Sequence, residues 1–148
     1  MRPTIEAWGL DLAEVVAMRG TCGRRQVGCV LLNAQGHVLA TGYNGPARGT
    51  PNCGDDVHGT SCHGVGYASG QGLEVCQAVH AEQNALMQCA DIGRIATICV
   101  TDSPCLHCVK MLMNTGAAKI VFRRPYADHH DVAKRWWVGS SRREWERL

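Results

Sequence analysis

The chain has 148 residues, 45% hydrophobic and 19% charged, with a formal net charge of +2, a size that calls for a single domain with a proper core. That charge is too mild for the electrostatic footprint of a nucleic-acid binder, and no stretch approaches the ~18 consecutive apolar residues of a membrane span. Nine cysteines would suit a small disulfide-framed secreted protein, yet Met1 to Leu10 holds no apolar signal segment and two of the cysteines are spaced for a metal, so the expectation is a soluble, cytoplasmic protein with reduced thiols.

Along the chain, Ile5, Trp8, Leu12, Val15, Val16 and Arg19 recur at helical spacing after Thr4, predicting an amphipathic helix whose apolar face lies on the core. Residues 27–32 and 37–41 are β-favouring runs separated by Asn33-Ala34-Gln35-Gly36, a hairpin turn. Residues 42–72 carry nine of the 17 glycines, too many for a regular element, and a connection this long is functional or pinned by a metal. The pattern then predicts a helix over 79–90, a buried strand over 95–101, a helix over 105–115 stopped by Gly116, a strand over 119–122, and a helix from Asp128 to about Trp137. Gly139-Ser140-Ser141 separates a charged tail, 139–148. The alternation predicts an α/β sandwich in one domain, residues 1–148, with a Gly/Cys-rich loop at 42–76.

His80-Ala81-Glu82 and Pro104-Cys105-Leu106-His107-Cys108 together supply an imidazole, two thiolates and a carboxylate. Zinc takes sulfur and imidazole nitrogen in tetrahedral geometry, and three protein ligands leave a fourth position for water. Ser103-Pro104 reads as a helix start, with Ser at the cap and Pro at the first helical position, which places Cys105 and Cys108 in a first turn where the helix dipole favours thiolate. His80 and Glu82 diverge by about 200° on a helix, so they can share only a site lying off its N-terminus. The metal therefore belongs between two helix starts, one near His80 and one near Pro104, where His80, Cys105 and Cys108 can hold it and Glu82 lies alongside.

With these motifs, Arg24-Arg25-Gln26-Val27-Gly28, Thr41-Gly42-Tyr43-Asn44-Gly45, Leu73-Glu74-Val75-Cys76, His80-Ala81-Glu82-Gln83-Asn84-Ala85 and Thr101-Asp102-Ser103-Pro104-Cys105, the chain resembles the deoxycytidylate deaminases of the cytidine deaminase-like superfamily over residues 4–128; the H-x-E and P-C-x-x-C pair is the pattern of zinc nucleobase deaminases. The resemblance implies a three-layer α/β/α sandwich with a mixed sheet of about five strands, hydrolytic deamination of dCMP to dUMP, homo-oligomers (hexamer or dimer), and control by dCTP and dTTP in some relatives. Relatives end on an apolar strand; here Arg135-Trp136-Trp137-Val138 gives way to Ser140-Ser141-Arg142-Arg143, so that last strand is expected to be missing or altered. Competing readings are deamination of a 5-methyl or 5-hydroxymethyl dCMP, of a base in RNA, or a silent zinc-binding regulatory subunit, which retention of Glu82 argues against.

In the implied chemistry the metal lowers the pKa of its water towards about 7 and Glu82 serves first as base and then as acid. By the same resemblance the Ala81 N–H and the Ser103 carbonyl hold the pyrimidine O2 and amino group, so their side chains should matter little, and Asn44 contacts the deoxyribose and phosphate. Arg24 or Arg25 supplies a phosphate-matching guanidinium, and Tyr126 is a candidate to pack on the base. Cys22, Cys53, Cys62 and Cys76 form a candidate closed-shell structural zinc site, with His58 or His63 as substitutes for Cys62. Cys29, Cys89 and Cys99 read as small core residues, His107 as facing away from the ligands, His129-His130 as a surface pair at a helix start, and Trp136-Trp137 as core or subunit interface.

Overall fold

A computed structural model describes residues 1–55, 66–68, 71–72, 74–126, 130–139 and 142–148. Thr4 caps the first helix, α1 (Ile5–Ala17), its hydroxyl oxygen accepting from the Ala7 N–H at 3.1 Å and so satisfying a donor that a helix start leaves open. Two antiparallel strands follow, β1 (Gly28–Asn33) and β2 (Val38–Tyr43). Asn33 Oδ1 accepts from the Gln35 and His37 N–H groups and Gly36 takes φ +81°, which is how this hairpin turn closes.

A short ladder, β3 (Gly45–Pro46) against β4 (Ala78–Val79), gathers the two ends of the glycine-rich segment. The chain continues through α2 (Ala81–Gln88), a 3-10 turn (Ile92–Arg94), β5 (Ile95–Asp102), α3 (Leu106–Leu112), β6 (Lys119–Arg124), α4 (His130–Gly139) and β7 (Glu144–Arg147). The five-stranded sheet has the order β2-β1-β5-β6-β7, with β1 antiparallel to β2 and β5 and with β5, β6 and β7 parallel, the mixed sheet expected.

Side chains of a strand alternate between faces, and a sheet covered on both sides reads as continuously apolar. Cys29 and Leu31, Ile98 and Val100, and Ile120 and Phe122 point to one face, where Ala81, Ala85, Val109, Leu112, Ala133 and Trp137 of α2, α3 and α4 cover them. Val30, Leu32, Cys99 and Val121 point to the other, under Leu10 and Ala13 of α1. These are the three layers. Among the described residues no helix is long and apolar enough to cross a membrane.

Three expectations need correction or refinement. The buried face of α1 is Gly9, Leu10, Ala13 and Ala17, while Ile5, Trp8 and Val15 are exposed. The helix lies so close to the sheet that a Cβ on Gly28 would strike the Ala13 carbonyl and come within 2.6 Å of the Ala17 nitrogen, so bulk is excluded from the contact. The last strand, expected to be missing or altered, is present in altered form: Glu144-Trp145-Glu146-Arg147 makes β7 at the sheet edge. Only one side of an edge strand is paired, so charge is tolerated there; Glu144 and Glu146 reach Lys119 Nζ at 3.7 and 2.8 Å. Finally, α3 begins at Leu106 with Cys105 as its cap, later than the Ser103-Pro104 start, and α2 begins at Ala81 because Ala78 and Val79 are claimed by the ladder. The Asp128 helix start and Cys62, His58, His63 and His129 lie outside the described residues.

Candidate functional site

The starts of α2 and α3 meet beyond the carboxyl end of β5. His80 is the cap residue of α2, its backbone N–H donating to Gln83 Oε1 at 2.8 Å; Cys105 caps α3 and Cys108 sits in its first turn. Gly42 of β2 brings strand and helix together, since a Cβ there would overlap the Ala81 carbonyl and the Ala85 nitrogen. Asn84 Nδ2 donates to the Tyr43 carbonyl at 2.7 Å and fastens the same contact.

The nitrogen and sulfur donors of His80, Cys105 and Cys108 all lie within 4.8 Å of one another. A tetrahedral zinc with Zn–S about 2.3 Å and Zn–N about 2.0 Å sets such ligands about 3.5 Å apart. His80 Nδ1 is 3.5 Å from Cys105 Sγ and 3.4 Å from Cys108 Sγ, so donor chemistry and spacing both fit a zinc ion. The Cys105 thiol is brought down to about 4, first by the Cys108 thiol that donates to it and then by His80, giving the thiolate a metal needs. His107 points outward and is exposed, as expected.

Glu82 is 4% exposed, and burial lifts its carboxyl to about 7. It borders a cavity of about 390 Å³ together with Ala81, His80, Ser103 and Cys105, within the size range of small-molecule sites. Asn44, Arg24, Arg25 and Tyr126 line the same cavity, and so do Cys22 and Cys76. The structure thus brings to one cavity wall every sequence-predicted substrate residue. Cys53 does not line the cavity, and among the described residues Cys22, Cys53 and Cys76 form no group of three as close as the His80 cluster.

The polar residues are tied down in distinct ways. Asn44 is buried, its Oδ1 accepting from the Val27 N–H at 2.8 Å and its Nδ2 donating to the Arg25 carbonyl at 2.7 Å. Arg24 donates to the Gln71 and Ala68 carbonyls at 3.3 and 2.6 Å, bracing the rim that Tyr67 lines. Arg25 stacks 4.7 Å above the Tyr126 ring and its Nε lies 3.4 Å from Asp102 Oδ2. Asp102, 5% exposed, gives its other oxygen to Arg124 Nε at 3.3 Å.

Asp102 went unassigned in the sequence; the only sign was a carboxylate directly before Ser103-Pro104-Cys105. Two expectations are overturned next to it. The Ser103 hydroxyl is not idle: it accepts from the Tyr126 N–H at 2.6 Å and lies 2.9 Å from His130 Nδ1. His130 is half-buried rather than a surface residue, edge-on to Phe122 and Trp145. Trp137 is core and Trp136 is 44% exposed.

Residues 4–124 match the family model of the cytidine and deoxycytidylate deaminase zinc-binding region. The deoxycytidylate deaminase of Saccharomyces cerevisiae is 34% identical over 85% of this chain, which spans 39% of that protein. The chain covers about two fifths of the length of the two yeast relatives it matches, but 95% of the deoxycytidylate deaminase of Mycobacterium phage D29, to which it is 34% identical over 82% of its own length. Among solved structures, the dCMP deaminase of cyanophage S-TIM5 in complex with dCMP and dUMP superposes with a TM-score of 0.71 at 27% identity, covering 100% of this chain and 99% of that one.

Proposed function

The chain belongs to the cytidine and deoxycytidylate deaminase family, and from that premise we propose that it hydrolyses dCMP to dUMP and ammonia, a reaction that feeds thymidylate synthesis. The observation that carries this reading is the buried Glu82 carboxyl beside the His80, Cys105 and Cys108 cluster, with Glu82, His80 and Cys105 lining a nucleotide-sized cavity. Zinc held by His80, Cys105 and Cys108 supplies Lewis acidity and a water acidic enough to attack at neutral pH.

The remaining work is done by the chain's own groups. Glu82 takes the proton released as water adds to C4, passes it to ring N3, and later carries a proton to the departing amine. Burial raises the proton affinity of this carboxyl, which favours its taking a proton from water. The Ala81 N–H and the Ser103 carbonyl grip the pyrimidine edge, and Asn44, already rigid, offers its outer face to the sugar. Arg24, braced on the rim carbonyls, and Arg25, held between Asp102 and Tyr126, are the two candidate phosphate partners. Tyr126 packs on the base from the same wall.

A second, structural zinc on Cys22, Cys53, Cys62 and Cys76 is the finer part of this reading; Cys22 and Cys76 both line the cavity. Metal analysis tests it: about two zinc ions per chain are expected, and a content of about one removes the second site. The function itself is tested by following amine loss from dCMP, 5-methyl-dCMP, 5-hydroxymethyl-dCMP, CMP and deoxycytidine with and without a chelator. Chelator-sensitive turnover with dCMP as the best substrate is expected. Preference for a 5-substituted nucleotide would replace the substrate, and no turnover of any of them would reject the nucleotide assignment.

A further inference from the structure

Ser103 is 2% exposed and lines the substrate cavity, and the scaffold holds it at three points. Its N–H donates to the Arg124 carbonyl at 2.8 Å, its Oγ accepts from the Tyr126 N–H at 2.6 Å, and the same Oγ lies 2.9 Å from His130 Nδ1. A serine hydroxyl has a single hydrogen. With one lone pair given to Tyr126, the hydroxyl can donate that hydrogen to His130 Nδ1 when the imidazole is neutral and carries its own proton on Nε2.

The orientation of the His130 ring is itself set by packing. Its centroid lies 5.5 Å from those of Phe122 of β6 and Trp145 of β7, both edge-on at 71° and 65°, and Phe122 and Trp145 meet each other at 5.4 Å. Such edge-on contacts suit aromatic quadrupoles and restrict rotation. A continuous chain of contacts therefore runs from the last strand, which does not line the cavity, through Trp145, His130 and Ser103 to the cavity wall and Tyr126.

We propose that His130 is a positioning residue for the reaction, fixing the Ser103 carbonyl and the Tyr126 backbone through the Ser103 hydroxyl, with Trp145 of the C-terminal strand holding its ring. The inference rests on the deaminase reading above. Its reason is geometric: a group that grips the substrate only in a productive pose loses much of its worth when misplaced by a fraction of an ångström, and a displacement of about 1 Å can cost about 10²-fold in rate.

The test uses the zinc-loaded full chain. His130→Phe keeps the aromatic packing and removes the acceptor; His130→Asn places an acceptor oxygen where Nδ1 was. Expected results are a kcat on dCMP about tenfold lower for His130→Phe, with KM and zinc content within about twofold of wild type, and recovery of most of that loss in His130→Asn. Ser103→Ala should lower kcat to a similar degree, and the Ser103→Ala/His130→Phe pair should lose no more than either alone. Wild-type kcat in His130→Phe, or an Asn variant no better than the Phe variant, would overturn the proposal. Nitrogen NMR of the wild-type His130 ring decides the hydrogen bond independently of turnover: Nδ1 without a proton is expected, and a protonated Nδ1 refutes it. An enzyme silent on dCMP with the expected ring spectrum would refute the substrate and leave the contact standing.

Discussion

A carboxyl buried as deeply as Glu82 costs several kcal/mol to ionise without partners, and its lift to about 7 is the visible sign of that cost. Glu82→Gln keeps the shape and removes the proton-carrying oxygen. We expect kcat to fall on the order of 10²–10⁴-fold with zinc still bound; retained turnover would remove Glu82 from the mechanism. His80, Glu82, Cys105 and Cys108 were legible because each half of the set is local, two or three residues apart, at a helix start. The Ser103–His130 contact was not, since its partners are 27 residues apart and only the fold joins them. Nothing in the spacing of His129-His130 tells a surface imidazole from one wedged between Phe122 and Trp145. Asn44 was legible by motif, while its anchoring of Val27 and Arg25 was visible only in three dimensions.

Among the elements, the α/β alternation and every central strand could be read from apolar runs, because a strand covered on both faces has no other pattern. The face of α1 could not. Periodicity counts large side chains, and here close approach of the helix to Gly28 puts Gly9, Ala13 and Ala17 beside Leu10 at the contact, with Leu12 and Val16 only partly buried at its margin. β7 escaped because an edge strand is half solvent-facing and carries its glutamates towards Lys119. The same close-approach logic gives a prediction for α2, which carries His80 and Glu82 into place. Gly42→Ala should push this helix off β2, costing about 1–3 kcal/mol by overpacking and lowering kcat as well as Tm. Gly49→Ala is the comparison: φ there is +86° and a Cβ meets nothing within 4 Å, so backbone strain should reduce Tm while kcat stays at the wild-type value. A Gly42→Ala enzyme with unchanged kcat would show that the helix start is not set by this contact.

At the scale of the whole molecule, the proposed zinc ligands come from two helix starts, one before and one after the central strand β5 in the chain, so the cluster exists only when that strand is in the sheet. Metal binding and folding are then linked. Removing the metal with a chelator should lower Tm by about 10 °C or more, and adding back Zn²⁺ should restore both Tm and turnover; a metal-depleted chain that melts where the loaded one does would show that the cluster adds nothing to the fold. The mixed five-stranded sheet was expected only from family resemblance and its strand order not at all, because pairing between β1 and β5, far apart in the chain, leaves no local mark. The small ladder of Gly45–Pro46 with Ala78–Val79 has a bearing on how such a protein diverges. By clamping both ends of the connection between them, it makes the core depend little on the length of that connection, since closure entropy grows only slowly with the number of residues enclosed. Insertions and deletions there can reshape the rim that Tyr67 and Cys76 contribute to the cavity without moving His80, Cys105 or Cys108, so substrate choice has room to drift while the chemistry stays anchored.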